Sequence, residues 1–263
     1  MSFDAGLIQG GMLLGTSILA GAVNGIAGGG GLLVFPMLLL TGLEPLTANA
    51  TNAAAMWVGT VSSAVAYRQE FRAHSPTLWR LTLVSVLGGL IGAGLLLRVS
   101  SDDFAQLIPY LLLGATLLFA LGQPLVKRLG YQDQRFSKIS NGANVSGYLC
   151  IAQGAIATYG GFFGGGMGIL MLAVLRLTGV GSIHTQNAFK VWLAICINAV
   201  AVTQFAIAGI IAWPQTLLMA IGAALGGYGS ALLARHVPTV WIRTAIIAVG
   251  LGLSLYFFVH NPQ

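Results

Sequence analysis

Lys190 is the residue whose surroundings most clearly indicate chemistry. It lies in the apolar stretch NAFKVWLAICINAVAV, which contains no acidic residue, and Thr185, Gln186 and Asn187 precede it. A cation among amide and hydroxyl groups, without a carboxylate partner, suits a small oxyanion and does not suit a metal ion. The other interpretation is structural, because a lysine about two turns into an apolar helix can extend its ammonium group to a membrane interface.

Two glycine runs could complete such a site with backbone N–H groups. They occur in NGIAGGGGLLVFP, residues 24–36, and in GGFFGGGMG, residues 160–168, and each precedes an apolar run. Glycine is a poor helix former, but it accepts positive φ and lets a ligand approach the backbone closely. A helix that begins after such a run points unsatisfied N–H groups and the positive end of its dipole at an anion. The alternative is that the glycines only form tight turns or close helix contacts.

Polar side chains also recur in PLTANATN, at the start of the helix predicted after the first run. Thr47 can be interpreted as an ordinary helix cap after Pro45. Capping does not explain Asn49 and Asn52, which lie three residues apart on nearly one helix face. Because an unpaired polar group is costly in lipid, we expect both to face a cavity or each other. The predicted anion-binding residues are Asn24, Gly28, Gly29, Gly30, Gly31, Thr47, Asn49, Asn52, Gly164, Gly165, Gly166, Gly168, Thr185, Gln186, Asn187 and Lys190.

The composition places these residues in a membrane protein. Of the 263 residues, 56% are hydrophobic and 7% are charged, whereas about 25% are charged in an ordinary soluble domain. The formal net charge of +6 fits the usual Lys/Arg bias of membrane proteins. A nucleic-acid partner would require a basic face, and the sequence shows none. Cys150 and Cys196 lack the spacing of a metal or redox site. We therefore expect no catalytic residue, no metal and no cofactor.

The predicted fold is an all-α polytopic membrane protein made of two homologous repeats. Ten apolar segments are candidates for helices in or across the membrane. A shift of 138 positions aligns Thr47 with Thr185 and Asn49 with Asn187, and it aligns the two LGG tripeptides of the chain. The predicted domains are a first membrane repeat at 1–126, a basic cytoplasmic linker at 127–141 and a second membrane repeat at 142–263. The segments are 5–24, 31–45, 46–67, 77–97, 104–125, 143–161, 166–180, 183–209, 214–234 and 240–259.

The positive charges favour an inverted arrangement of the repeats. If each glycine run is the turn of a hairpin, each half has a broken hairpin plus three spanning helices, which makes 8–10 membrane segments in all. The basic loops at 68–80 and 235–243 and the linker then lie on the cytoplasmic side, in agreement with the positive-inside rule. Four crossings in each half would place one of those loops outside. The segments 31–45 and 166–180 are short for full spans, so half-helices or re-entrant pieces are alternatives there.

The motif GAVNGIAGGGGLLVFPMLLLTG, with LTANATNAA downstream and a second copy in GGFFGGGMGILM and TQNAFK, resembles the sulfite exporter TauE/SafE family. The resemblance covers essentially the whole chain, although the second copy has no proline equivalent to Pro36. It implies an anion permease that exports sulfite or organosulfonates such as sulfoacetate. The positions that carry it are Gly21, Gly25, Gly28, Gly29, Gly30, Pro36, Gly164, Gly165, Gly166 and Gly168.

The sequence therefore predicts a multi-pass secondary transporter of the bacterial inner membrane. It would export a small anion by alternating access, with the binding site at the interface of the repeats. The expected partners are the anion and the lipid bilayer, and a homodimer is compatible with this prediction. A passive anion channel would share the same pocket and is the alternative. An enzyme is disfavoured, since the spans contain no HExxH motif, no GxSxG motif and no paired acids.

Overall fold

Helices form the regular secondary structure of the described part of the chain. The computed structural model describes residues 3–26, 29–65, 76–131, 143–177, 183–236 and 239–260. Within these ranges it confirms the predicted all-α fold. The helices are α1 (Phe3–Ile26), α2 (Gly31–Leu40), α3 (Pro45–Ala64), α4 (Pro76–Leu96), α5 (Ser101–Tyr131), α6 (Ala143–Phe162), α7 (Met167–Leu177), α8 (Ile183–Ile207), α9 (Trp213–His236) and α10 (Thr239–His260).

The helices α2 and α7 are too short to cross a bilayer alone. α2 has 10 residues and α7 has 11. At 1.5 Å per residue they extend about 15–17 Å, which is roughly half of the hydrocarbon core. α2 ends at Leu40, before the end of the predicted segment 31–45. α7 is described to Leu177, and the last three residues of the predicted segment 166–180 lie outside the described residues. Each glycine run is thus followed by a half-helix.

Several other helices are apolar enough to cross the membrane. Among the described residues, three segments meet the length and hydropathy of a membrane span: Thr77–Leu96 in α4, Ser101–Leu121 in α5 and Thr185–Ile207 in α8. Large hydrophobic side chains are exposed on α4 and α9, such as Leu83 and Leu217. Such surfaces suit contact with lipid. The helix α5 continues to Tyr131, so the first five residues of the predicted linker, 127–131, are helical.

The contacts between helices follow the repeat. α1–α5 of the first half correspond in order to α6–α10 of the second half, and each contact below has an equivalent when the halves are exchanged. α1 packs on α9, and its counterpart α6 packs on α4. In the same way, α3 packs on α9 and α8 packs on α4. The pairs α5–α10 and α3–α8 also pack together, and each exchanges onto itself. This pattern interlocks the halves about a common centre, while their inverted orientation in the membrane remains a prediction.

The two LGG tripeptides lie at close crossings between the halves. A Cβ atom added to Gly226 in α9 would overlap the backbone carbonyl of Ile18 in α1. A Cβ atom added to its repeat mate Gly88 in α4 would lie 2.8 Å from the carbonyl oxygen of Gly154 in α6. Small residues allow membrane helices to approach this closely. The tripeptides therefore hold the two halves together and explain one part of the repeated sequence.

Candidate functional site

A cavity of about 50 Å³ lies between the halves, beside α3 and α8. We call residues 29–30 the first glycine break and residues 163–166 the second glycine break. That volume has room for roughly three to five water-sized groups, so it matches a small polyatomic ion. The breaks approach each other here, since the rings of Phe35 in α2 and Phe163 in the second break meet edge to face at 5.4 Å. The lining residues are Asn24, Gly29, Gly31, Asn52, Ala53, Met56, Thr60, Ser63, Gly160, Phe163, Gly164, Met167, Gly168, Lys190, Val191, Ala194 and Asn198.

Glycine is required by the backbone of both breaks. Gly29 has a φ of +99°, and Gly164 and Gly166 have φ values of +77° and +78°. Residues other than glycine rarely adopt such positive φ values. The breaks end where α2 begins at Gly31 and α7 begins at Met167. The first N–H groups of a helix have no carbonyl acceptor within that helix. The cavity therefore lies at two helix N-termini, one from each half.

Other predicted glycines serve packing. A Cβ atom on Gly30 would overlap the carbonyl of Ala20 in α1, so this glycine lets α1 and the first break touch. Gly165 is closed in by the side chains of Phe163 and Leu32. Neither glycine lines the cavity, and Gly28 lies outside the described residues. The alternative interpretation, that the glycines allow close packing, is therefore correct for Gly30 in the first run and Gly165 in the second.

Lys190 lies at the cavity and is almost completely enclosed. Its side chain is 3% exposed, which differs from the snorkelling conformation. Its Nζ has no hydrogen-bond partner among the described residues. A buried cation of this kind carries a desolvation penalty that a bound anion would relieve.

The predicted residues Asn24 and Asn52 also line the cavity. Nδ2 of Asn24, near the end of α1, donates to Oγ1 of Thr60 in α3 at 3.0 Å. Nδ2 of Asn52 points to the carbonyl oxygen of Gly31 at 3.4 Å. These contacts connect α3 to both sides of the first glycine break.

Residues on α3 and α8 face the cavity as two equivalent rows. The shift of 138 positions aligns Asn52 with Lys190 and Thr60 with Asn198, and all four line the cavity. The predicted site omitted Thr60 and Asn198, as well as Ser63. Within each row the cavity residues recur at helical spacing. The sequence contained a signal for Thr60 and Asn198. Each lies eight residues, or about two helical turns, after Asn52 or Lys190, at equivalent positions of the two repeats.

The remaining predicted residues do not line the cavity. Asn49 is buried, and its Nδ2 donates to the carbonyl oxygen of Phe162 at 2.9 Å, which ties α3 to the end of α6. Thr47 lies in the first turn of α3, where Glu44 occupies the capping position. The rest of this group does not contribute to the cavity lining in the described part of the chain. It comprises Gly166 in the second break and Thr185, Gln186 and Asn187 in the first turns of α8.

Tyr159 fastens the second glycine break, a role that sequence reasoning missed. Its hydroxyl donates to the carbonyl oxygen of Gly165 at 2.5 Å. Tyr159→Phe should loosen the break, because it deletes a hydrogen bond whose net contribution is about 0.5–1.5 kcal/mol. We expect faster hydrogen–deuterium exchange across residues 159–168, measured by mass spectrometry. Tyr148→Phe, on a side chain of the same helix that is 80% exposed, is the control, and equal exchange in the two variants would contradict this role.

The residues that line the cavity carry hydrogen-bonding groups and one cationic side chain. In the described ranges, no group of three or more His, Cys, Asp or Glu side chains could hold a metal ion. The cavity lining presents one ammonium group, several amide and hydroxyl groups and the starts of two helices. Such groups bind the oxygens of a small anion.

Comparison with known proteins agrees with the membrane fold. Residues 13–257 match the family described as "Sulfite exporter TauE/SafE". The chain is 28% identical over 254 residues to a "Probable membrane transporter protein" of Haemophilus influenzae, which covers 95% of both chains. It is 28% identical over 257 residues to "Probable membrane transporter protein YfcA" of Escherichia coli, covering 96% of this chain and 91% of the relative. No solved structure matches the chain.

Proposed function

We propose that this chain, which belongs to the sulfite exporter TauE/SafE family, exports a small anion across the bacterial inner membrane. The proposed substrate is sulfite or an organosulfonate such as sulfoacetate. The relatives' names support the broader function of membrane transport. The direction of transport and the substrate are our proposals. The residues that line the cavity support the proposed substrate.

The observation that carries the proposal is the state of Lys190. Its ammonium group is buried at the cavity without a hydrogen-bond partner among the described residues. A buried, unpaired cation is costly, and the two helix N-termini at the same cavity add further positive potential. An anion bound between them would neutralise the charge and accept hydrogen bonds from Lys190. The N–H groups of Leu32 and Leu33 at the start of α2, and of Met167 and Ile169 at the start of α7, already donate to carbonyl oxygens of the breaks.

The size of the cavity favours the smaller substrates of this class. Sulfite has four non-hydrogen atoms and sulfoacetate has eight. A volume of about 50 Å³ holds roughly three to five water-sized groups. In the conformation described here, the cavity therefore suits sulfite better than sulfoacetate.

The arrangement of the breaks supports transport by alternating access. Inverted-repeat transporters place interrupted helices around a site at the repeat interface, and one repeat moves against the other. Here the cavity takes its lining from both halves, so relative motion of the halves would open it to one side or the other. An inside-negative membrane potential favours anion export by about 2.3 kcal/mol per charge per 100 mV, so export requires no coupled ion.

Counterflow in proteoliposomes tests this function. Vesicles that contain the purified protein and a high internal concentration of unlabelled sulfite should accumulate external ³⁵S-labelled sulfite transiently, and uptake should saturate. A carrier gives this result because unlabelled sulfite binds the site from the inside and is carried out, after which the site is free to bind labelled sulfite from the outside. A flux that rises linearly with concentration and shows no counterflow would instead identify a passive anion channel and contradict the proposal.

A further inference from the structure

Asn52, which lines the cavity, carries a buried hydrogen-bond acceptor that has no partner among the described residues. The side-chain amide of Asn52 points its Nδ2 to the carbonyl oxygen of Gly31 at 3.4 Å. Reversing the amide would place two acceptor oxygens near each other, so this contact favours the orientation described. The other amide atom, Oδ1, is buried and has no hydrogen-bond partner among the described residues.

This acceptor shares a cavity with a cation. Asn52 and Lys190 are repeat mates, and both line the same cavity with 6% and 3% of their surfaces exposed. Lys190 can only donate hydrogen bonds, whereas Oδ1 of Asn52 can only accept them. A ligand that satisfies both must bring a negatively charged oxygen to one side and an O–H or N–H group to the other.

We propose that the transported anion itself carries an O–H or N–H donor, and that Asn52 selects it through this donor. The proposal rests on the proposed function and narrows its substrate class. An anion whose atoms can only accept hydrogen bonds would leave Oδ1 without a partner or set it against another lone pair. A buried polar group that is left unpaired in a complex weakens binding strongly, and sites built around such a group reject analogues that lack its partner.

A pair of nearly isosteric anions isolates this requirement. Sulfamate and methanesulfonate are both monoanions with a sulfonate group and five non-hydrogen atoms, but sulfamate has an NH₂ group where methanesulfonate has a methyl group. The measurement is calorimetric titration of the purified full-length protein with each anion. We expect sulfamate to bind at least about tenfold more tightly, in line with the cost of an unpaired buried acceptor.

Two variants connect the preference to the residues. Asn52→Leu, which keeps the size of the side chain and removes the acceptor, should reduce the preference for sulfamate to less than about twofold. Gln153→Met is the control, because it removes a buried amide that bonds Ser85 at 2.8 Å and lies outside the cavity lining, and it should keep the preference. The comparison in the wild-type protein decides the matter even if Asn52→Leu does not fold.

The outcomes separate this inference from the proposed function. Equal affinities for the two anions in the wild type, or an undiminished preference in a folded Asn52→Leu variant, would overturn the requirement for a donor. If both anions bind equally and Lys190→Met weakens their binding at least about tenfold, the anion site stands without the requirement. If neither these anions nor sulfite binds the wild-type protein, the proposed function itself is wrong.

Discussion

Replacing Lys190 with methionine is expected to weaken sulfite binding strongly and, at the same time, to stabilise the empty protein. Methionine has nearly the length of lysine but no charge. Charge-assisted hydrogen bonds contribute roughly 1.5–3 kcal/mol each, so we expect the dissociation constant to rise by about 10- to 150-fold. The ammonium group has no hydrogen-bond partner in the described part of the chain, so its removal also relieves the cost of a buried charge.

The two halves of this prediction have opposite signs, which makes it specific. A purely structural lysine would destabilise the protein when it is lost, whereas Lys190→Met should raise the midpoint of thermal unfolding by a few degrees. Differential scanning fluorimetry and calorimetric titration with sulfite measure the two effects. Arg98→Met removes one positive charge from an exposed position and is the control for net charge. Sulfite affinity that is as strong in Lys190→Met as in Arg98→Met would contradict the role of Lys190.

Adding one methyl group at the helix crossings is expected to disrupt the packing of the halves. Gly88→Ala and Gly226→Ala place a Cβ atom against backbone atoms of α6 and α1, and backbone cannot move aside as a flexible side chain can. Overpacking of a close-packed interior costs about 1–3 kcal/mol and occasionally more. We expect lower yields of folded protein and a thermal midpoint lowered by several degrees in both variants.

A second pair of repeat mates supplies matched controls for this experiment. Gly114 in α5 and Gly252 in α10 are also 138 positions apart, and a Cβ atom at either position meets no other atom within 4 Å. Gly114→Ala and Gly252→Ala should therefore be neutral or slightly stabilising, because alanine is the better helix former. Equal effects of the two pairs would mean that the crossings of α1 with α9 and of α4 with α6 do not limit stability.

The fold was largely predictable because its signals are local. Long apolar runs predict helices, and runs of glycine predict interruptions, so the predicted segments agree with the observed helices to within a few residues at most boundaries. The end of α2 was less predictable. The predicted segment continued to residue 45, whereas Thr41 and Gly42 turn the chain, with a φ of +85° at Gly42.

The site was predictable only in part, because its contacts join residues far apart in the sequence. Lys190, Asn52 and the two cavity glycines with positive φ, Gly29 and Gly164, could be identified by the cost of their residue types in an apolar setting. The bond from Asn49 to the carbonyl oxygen of Phe162 joins residues 113 positions apart, and no spacing rule contains it. The same holds for Gly30, whose role depends on Ala20 in a neighbouring helix. For Thr60 and Asn198, however, the repeat and the helical spacing together contained the information.

Nuclear magnetic resonance of the lysine side chains tests the central claim most directly. The chain has three lysines, Lys127, Lys138 and Lys190, so protein labelled with ¹⁵N-lysine gives few Nζ signals. The signal of Lys190 is the one that disappears in Lys190→Met. If the anion binds at the cavity between the glycine breaks, titration with sulfite should shift this signal with saturation and leave the other two unchanged. Saturable binding of sulfite, measured on the same sample, with no change in the Lys190 signal would contradict the account.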